Sequence, residues 1–241
     1  MNQTIQLMLN HKSIRKYTDK AISSKNLDTI LQASVSAPSS SFLQCTSIIR
    51  VVDKTKREKL ATLAGNQTYV IQAAEFLVFC IDFHKHKTLV PNGHYGYTEQ
   101  VLLGAVDCGL ISQNALLAAQ SLNIGGVYIG GLRNKPLEVC DLLELPEQVF
   151  PMFGLCLGYP DQSPEVKPRL PIDITVHQDK YNPLDLDKIK NYDKTLAEYY
   201  NTRTSNKKDN TWTSDIEKKL SKEARTFMQD ALRKQGFMTT I

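Results

Sequence analysis

The alternation of apolar and polar positions divides the chain into strands and helices that follow one another. Four runs rich in β-branched and aromatic residues predict strands, namely TSIIRVVD, AEFLVFCID, GGVYIGG and VFPMFGLCLGYP. The second run is apolar almost throughout, which predicts a central strand covered on both faces. Helical periodicity predicts helices over residues 2–10, from Ser23 or Ser24 to Val35, over KTKREKLATLA before Gly65, and over PLEVCDLLEL. This order of elements favours a layered α/β or α+β domain.

The longest apolar stretch spans residues 99–122 and predicts a long helix. Polar side chains interrupt it at Asp107, Ser112, Gln113, Asn114 and Gln120, so a membrane span is not expected. Because apolar residues occur on most of its faces, we expect this helix to be buried on several sides, at a domain centre or a subunit interface. The N-terminal residues lack the pattern of a signal peptide, and a cytoplasmic location is expected.

The C-terminal part of the chain, from about residue 188, is polar and helical. A polar loop, RTSNKKDNT, precedes a predicted final helix whose capping box pairs Ser214 with Glu217 and which ends at Gly236. We predict one domain over residues 1–241, in which residues 188–241 form a helical extension.

Composition and charge remove several classes of function. The 241 residues are 41% hydrophobic and 22% charged, which is typical of a globular protein with a real core. A net charge of +4 is small for a dedicated nucleic-acid-binding protein but fits a protein that handles anionic small molecules. The five cysteines are scattered with no C-x-x-C pair, so we expect buried free thiols, no disulfide framework and no metal site.

Two short basic segments could bind an anion. HKSIRKYT combines the hydroxyl of Ser13 with Arg15, whose planar guanidinium matches a phosphate. If this segment is extended, His11, Ser13 and Arg15 lie on one side of it. KPRLP places Lys167 and Arg169 two positions apart in a stretch held by prolines. Taken singly, each segment is also typical of a solvated loop.

Two further segments could approach a ligand closely. SSSFLQ offers three consecutive hydroxyl groups, those of Ser39, Ser40 and Ser41, before the apolar Phe42. GGVYIGGLRN is a strand that ends in a glycine pair, and glycine lets another group approach the backbone. It matches neither the P-loop nor the dinucleotide-binding pattern G-x-G-x-x-G. Taken singly, these segments are also typical of an ordinary loop and turn.

Six segments in this order, HKSIRKYT, SSSFLQC, AGNQTYVIQAAEFLVFCIDF, GGVYIGGLRN, FGLCLGYP and KPRLP, closely resemble the flavin reductase and oxygen-insensitive nitroreductase family. The similarity is greatest to its NADPH-linked major nitroreductase branch and covers essentially the whole chain, including EYYNTRTSN and the final helix. The resemblance implies an α+β fold, with a mixed sheet flanked by helices, in an interlocked homodimer that holds FMN at the subunit interface.

The resemblance also implies the residues of the site. Those expected to bind FMN are His11, Lys12, Ser13, Arg15, Ser39, Ser40, Ser41, Gln67, Tyr128, Ile129, Gly130, Gly131, Lys167 and Arg169. The serine loop is expected to reach the FMN of the partner chain. Those expected to contact substrates are Phe42, Arg203 and Lys208, with Arg203 at the 2′-phosphate of NADPH. No side chain is expected to be strictly catalytic.

The implied activity is the NADPH-dependent, FMN-mediated two-electron reduction of nitroaromatics, quinones or flavins by a ping-pong mechanism. The segment NKKDN carries lysines where relatives have an arginine pair, so the preference for NADPH over NADH is expected to be less strict. No nucleic-acid or membrane partner is expected. The alternatives are a reductase that supplies free reduced FMN, a flavin-holding protein without turnover, and a nucleic-acid-binding protein that uses the basic segments.

Overall fold

The computed structural model describes residues 1–203 and 207–239. The helices are α1 (Gln3–Leu9), α2 (Ser24–Val35), α3 (Lys54–Leu63), α4 (Tyr69–Gln72), α5 (His84–Leu89), α6 (Thr98–Ser121), α7 (Pro136–Leu143), α8 (Ile172–Thr175), α9 (Leu186–Thr202), α10 (Trp212–Leu220) and α11 (Met228–Lys234). The strands are β1 (Thr46–Arg50), β2 (Glu75–Asp82), β3 (Gly125–Ile129) and β4 (Val149–Gly158). Short 3-10 turns occupy Ser40–Phe42 and Gly130–Asn134.

The chain divides into two compact units. Unit 1 comprises Met1–Ser163 together with the segment that begins at Arg225, and unit 2 comprises Pro164–Ala224. All four strands belong to unit 1, whereas α8, α9 and α10 belong to unit 2. The predicted single domain over residues 1–241 stays a prediction.

The strands of unit 1 form one antiparallel sheet in the order β1-β2-β4-β3. β2 lies inside this sheet and all its residues are buried, which confirms the predicted central strand. The N-terminal segment adds a parallel bridge between Ser13 and Gly126 and an antiparallel bridge between Tyr17 and Pro160. The α+β fold is confirmed. The resemblance implied a mixed sheet; the four strands pair only antiparallel, and in the described residues the parallel pairing is limited to the isolated bridge at Ser13.

Helix α6 packs against the sheet and also against α2, whose buried Ser34 Oγ donates to the carbonyl of Ile111 at 2.7 Å. Gly104 faces the side chain of Ile81 at a distance that leaves no room for a Cβ, so α6 can approach β2. The other side of α6 exposes Leu102, Val106 and Leu110, which follow one another at helical spacing. Within this chain α6 is therefore covered by the sheet and by α2, whereas these three residues form an exposed apolar ridge.

The length and composition of α6 would also allow a membrane span, and no other helix in the described part of the chain shares this property. The core helix of a globular protein passes the same test. Nine of its 24 residues, among them Asp107 and Cys108, are buried inside the protein.

Several local sequence signals are confirmed. Ser23 caps α2 by accepting a hydrogen bond from the amide of Asn26, and Pro136 occupies the first turn of α7. The turn after α3 contains Gly65 with a φ of +90°, a conformation that favours glycine. The five cysteines are buried and unpaired.

The predicted final helix is wrong in its start and in its continuity. Thr211 caps α10 by accepting from the amide of Ser214, while Ser214 Oγ accepts from the amide of Thr211. The capping box therefore begins three residues before the predicted pair of Ser214 and Glu217. The helix also stops at Leu220, and α11 starts separately before Gly236 ends it at a φ of +82°.

Unit 2 has a small aromatic core around α9. The buried residues Tyr192, Leu196 and Tyr200 form it, and Trp212 packs against them. Tyr192 Oη donates to the carbonyl of Pro168 at 3.0 Å, which ties the KPRLP segment to this helix. The aromatic core thus fixes the backbone on which Lys167 and Arg169 stand.

Candidate functional site

The basic N-terminal segment lies alongside β3, with which it forms the parallel bridge between Ser13 and Gly126. The amide of Ile14 donates to the carbonyl of Gly126 at 3.0 Å, and the Ile14 side chain is buried. A Cβ on Gly125 would lie 2.5 Å from Ile14, so glycine here lets the segment approach the strand. Arg15 is exposed, and within residues 1–203 and 207–239 its guanidinium makes no hydrogen bond or ion pair. It is therefore available to an anion.

His11 begins this segment and lies close to α6. Gln120 Nε2 is 2.8 Å from His11 Nδ1, which connects the basic segment to the long helix. Two independent contacts, with β3 and with α6, thus position the segment.

The glycine pair after β3 lies directly against the turn that carries Gln67. A Cβ on Gly131 would overlap the carbonyl oxygen of Ala64 and lie 2.5 Å from Gln67 Nε2. Gln67 is itself held, because Nε2 donates to Ala64 O and Oε1 accepts from Tyr69 Oη, each at 2.5 Å. The structure therefore brings Gln67 and Gly131 together, although 64 positions separate them.

A cavity of about 390 Å³ opens beside the end of β3. Its walls include Tyr128, Gly130, Arg133 and Phe153, with α6 opposite. The rings of Tyr128 and Phe153 meet edge to face at 5.5 Å. Burial raises the pKa of Tyr128, so its phenol is neutral and can donate a hydrogen bond. A second cavity, of about 410 Å³ between the starts of α7 and α11, contains none of the predicted site residues.

Arg225 is a residue of this region that the sequence reasoning missed. Its Nη2 donates to the carbonyl of Gly130 at 3.3 Å and to Asn134 Oδ1 at 2.9 Å. Arg133 lies nearby, and burial together with the charge of Arg225 lowers its pKa. Two guanidinium groups therefore concentrate positive charge at the end of β3. Arg225 lies between α10 and α11 and has a φ of +58°. No pattern in the sequence marks it as a candidate site residue.

The serine loop is a 3-10 turn anchored to α6. Ser39 Oγ donates to Asp107 Oδ2 at 2.6 Å, and the amide of Ser40 donates to Asp107 Oδ1 at 3.2 Å. Ser41 is exposed, and Phe42 presents 80% of its surface to solvent. The sequence predicted the serines and Phe42 as site residues but not Asp107, which holds the loop. An aspartate inside an apolar helix is unusual, and this could have indicated its role.

In unit 2, several cations surround the ring of Tyr200. Lys167 Nζ donates to Tyr200 Oη at 2.7 Å. The guanidinium carbon of Arg203 lies 5.8 Å from the ring centre and Lys208 Nζ lies 5.6 Å from it. The structure thus brings these three predicted residues together. Arg169 is exposed and has no hydrogen bond or ion pair in the described part of the chain. Three residues of the predicted nucleotide loop, 204–206, lie outside the described residues.

Two family models together match most of the chain. The model of the nitroreductase family matches residues 8–159, and the model of the C-terminal domain of the same family matches residues 167–240. The first alone covers more than half of the chain, and this protein belongs to the nitroreductase family.

The similarity to individual relatives extends over nearly their full length. The chain is 52% identical to the NADPH-flavin oxidoreductase of Vibrio harveyi, and the match covers 98% of both chains. It is 50% identical to the oxygen-insensitive NADPH nitroreductase of Salmonella typhimurium, and this match covers 99% of this chain and 100% of the relative. Among solved structures, nitroreductase A from Vibrio parahaemolyticus superposes with a TM-score of 0.95 at 49% identity over the whole of both chains. The Vibrio harveyi NADPH:FMN oxidoreductase complexed with NAD+ superposes with a TM-score of 0.94 at 48% identity, over 99% of this chain and 100% of that chain.

Proposed function

We propose that this protein is an FMN-containing oxidoreductase that uses NADPH for the two-electron reduction of nitroaromatics, quinones or flavins. The observation that carries the proposal is the end of β3, where a glycine turn, Gln67 and two guanidinium groups meet beside an open cavity. Relatives of about 50% identity with matching names support the same activity. FMN is the cofactor that the family implies.

The residues of the chain fit FMN chemically. A Cβ on Gly130 would meet no atom closer than Arg133 Nη2 at 3.5 Å, so the backbone of this residue is open to a flat ligand. The guanidinium of Arg15 makes no hydrogen bond or ion pair in the described residues and suits a phosphate. The residues that would hold FMN are His11, Lys12, Ser13, Arg15, Gln67, Tyr128, Ile129, Gly130, Gly131, Lys167 and Arg169 of one chain and Ser39, Ser40 and Ser41 of its partner.

When bound, FMN supplies hydride acceptance and two-electron transfer. The chain contributes positive charge, because Arg133 and Arg225 lie at the C-terminal end of β3. Their guanidinium groups stabilise negative charge that develops beside them. Backbone amides of the Gly130–Gly131 turn can donate hydrogen bonds without the bulk of a side chain. No protein nucleophile or dedicated base is required. Because the donor and the acceptor would use one cavity in turn, a ping-pong mechanism is expected.

The visible spectrum of the purified protein tests this function. We expect a bound flavin whose absorbance bleaches when NADPH is added without oxygen and returns when a nitroaromatic or a quinone follows. A protein that holds flavin and does not bleach would be a flavin carrier without turnover. A colourless protein with salt-sensitive binding to DNA or RNA would favour the nucleic-acid alternative.

A flavin reductase that releases free reduced FMN is a second candidate. The 52% identity to an NADPH-flavin oxidoreductase favours it. The ratio of kcat/KM for added FMN to that for a nitroaromatic, measured with the same protein, separates the two activities. We further propose a cytoplasmic protein without nucleic-acid or membrane partners.

NADPH specificity is assigned to Arg203, assisted by Lys208. NADPH carries a 2′-phosphate that NADH lacks, so discrimination needs cations near that end of the ligand. Both cations lie around the ring of Tyr200. Because Lys208 is exposed and Arg203 is only half-buried, we expect a preference that weakens as salt rises.

Arg203→Ala is expected to raise the KM for NADPH roughly tenfold, through the loss of one charge-assisted contact, and to leave the KM for NADH nearly unchanged. FMN content should not change. The matched control is Lys194→Ala, which removes an exposed cation from α9 and should affect neither nucleotide. Equal losses with NADPH and NADH would assign Arg203 a role other than reading the 2′-phosphate.

A homodimer is proposed from the exposed ridge of α6. Leu102, Val106 and Leu110 are 57%, 60% and 39% exposed, and the serine loop is anchored to the same helix. Contiguous exposed apolar surface of this kind is typical of subunit interfaces.

Val106→Glu is expected to shift the protein from dimer to monomer in sedimentation velocity and to lower its FMN content, because the site would lose the partner's serines. Val52→Glu is the matched control, since Val52 is 64% exposed and lies in the segment between β1 and α3. A wild-type protein that sediments as a flavin-loaded, active monomer would rule out the proposed interface.

A further inference from the structure

Asp107 is a buried carboxylate whose partners all come from one loop. It lies in the apolar helix α6 with 1% of its surface exposed. Its oxygens accept from Ser39 Oγ at 2.6 Å, from the Ser40 amide at 3.2 Å and from Cys45 Sγ at 3.5 Å. In the described part of the chain no cation lies within ion-pair distance of it. A buried charge held by three donors and no counter-ion constrains the segment that supplies those donors.

The loop that Asp107 holds has an unusual backbone. Ser41, Phe42 and Gln44 have φ angles of +48°, +56° and +53°, in the left-handed region that residues with a Cβ rarely adopt. Such conformations persist where the surrounding structure determines them. The donors to Asp107 stand on both sides of these residues, at Ser39–Ser40 and at Cys45. The carboxylate therefore clamps the two ends of the strained turn.

The three serines have different roles in this arrangement. The single hydroxyl hydrogen of Ser39 is donated to Asp107, and Ser39 Oγ also accepts from the amide of Gln44 at 2.7 Å. Neither Ser40 Oγ nor Ser41 Oγ has a hydrogen-bond partner among the described residues. Ser39 thus belongs to the clamp, whereas the hydroxyls of Ser40 and Ser41 are available to a ligand.

Cys45 completes the clamp as a neutral donor. Burial, and then the charge and hydrogen bond of Asp107, raise the pKa of the Cys45 thiol to about 12. The thiol consequently stays protonated at neutral pH and can donate to the carboxylate.

We propose that Asp107 is a positioning residue of the flavin site: through Ser39, Ser40 and Cys45 it holds the loop in the one conformation that presents the Ser40 and Ser41 hydroxyls to FMN. The inference rests on the proposed function, because it takes FMN as the ligand of the loop. It also changes the role of Ser39 from a ligand contact to part of the support. Asp107 itself does not touch the cofactor.

The test is FMN binding to apoprotein, measured by the quenching of flavin fluorescence, for wild type, Asp107→Asn, Ser39→Ala and the double variant. Asparagine has the shape of aspartate but carries no charge and only one acceptor oxygen. It must therefore either reverse the bond to Ser39 Oγ or turn its NH2 group towards the Ser40 amide, and in both cases the charge-assisted clamp is weakened. We expect each single change to weaken FMN binding roughly tenfold. The double variant should be no weaker than the worse single variant, because both changes remove the same interaction.

A second readout follows the loop itself. In the absence of any ligand, hydrogen exchange of the Gln44 amide should accelerate in Ser39→Ala, where it loses its partner Ser39 Oγ. Exchange of the Ser40 amide should accelerate in Asp107→Asn, where its bond to the carboxylate loses its charge assistance. Glu75→Gln is the matched control. Glu75 is a buried carboxylate paired with Arg50 at 2.7 Å, and its loss should leave FMN affinity and exchange in the serine loop unchanged.

The outcomes separate the inference from the function on which it rests. Wild-type affinity in both Asp107→Asn and Ser39→Ala would overturn the inference and leave the proposed function intact. Additive losses in the double variant would also overturn it, since Ser39 would then contact FMN independently of Asp107. An apoprotein of the wild type that does not bind FMN would overturn the proposed function and the inference together. If Asp107→Asn does not fold, Ser39→Ala, which loses only one hydroxyl, tests the inference through its FMN affinity and the hydrogen exchange of the loop.

Discussion

Removing either Arg15 or Arg169 is expected to leave a folded protein that purifies largely without flavin. Each guanidinium is exposed and lacks a hydrogen bond or ion pair in the described residues, so its removal leaves no buried group unpaired. A charge-assisted contact with a phosphate contributes about 1.5–3 kcal/mol, which corresponds to roughly 10- to 100-fold in affinity. The measurement is the FMN content of Arg15→Ala and Arg169→Ala after purification, followed by titration of the apoproteins with FMN.

Lys16→Ala is the matched control for Arg15. Lys16 is the exposed neighbour of Arg15 and its loss changes the net charge equally, but it is not among the predicted FMN ligands. FMN affinity should therefore change little in this variant. Wild-type flavin occupancy in both arginine variants would show that the phosphate binds elsewhere.

Gly131→Ala is expected to destabilise the protein and to weaken FMN binding, whereas Gly130→Ala should leave stability nearly unchanged. A Cβ at position 131 overlaps the backbone carbonyl of Ala64 and presses on Gln67, which two hydrogen bonds already hold. Overpacking of this kind costs about 1–3 kcal/mol. At position 130 the nearest atom is Arg133 Nη2 at 3.5 Å, an ordinary contact.

Denaturant unfolding of the two apoproteins measures this difference without a contribution from bound FMN. The free energy of unfolding should fall for Gly131→Ala alone. Equal free energies of unfolding for the two variants would show that the turn relaxes around a side chain at position 131. FMN titration of the same samples then reports whether displacement of Gln67 affects the site.

The sequence by itself determined the elements that depend on local pattern. The four strands, α6 and the serine cap of α2 follow from periodicity and from capping residues, which act over a few positions. The final helix is the exception. Its capping box joins Thr211 to Ser214, one turn before the predicted pair of Ser214 and Glu217. The family, too, could be recognised from segments whose order along the chain is preserved.

Only the tertiary structure decided which distant residues meet. Asp107 joins Ser39 across 68 positions, Arg225 reaches Gly130 across 95, and Gly131 lies against Gln67 because the turn after β3 packs on the turn after α3. No local pattern encodes these contacts, since they depend on how α6 and the two turns are placed on the sheet. The sequence could therefore name the serines and the glycines as candidates, but the buried carboxylate and the second guanidinium that support them required the packed fold.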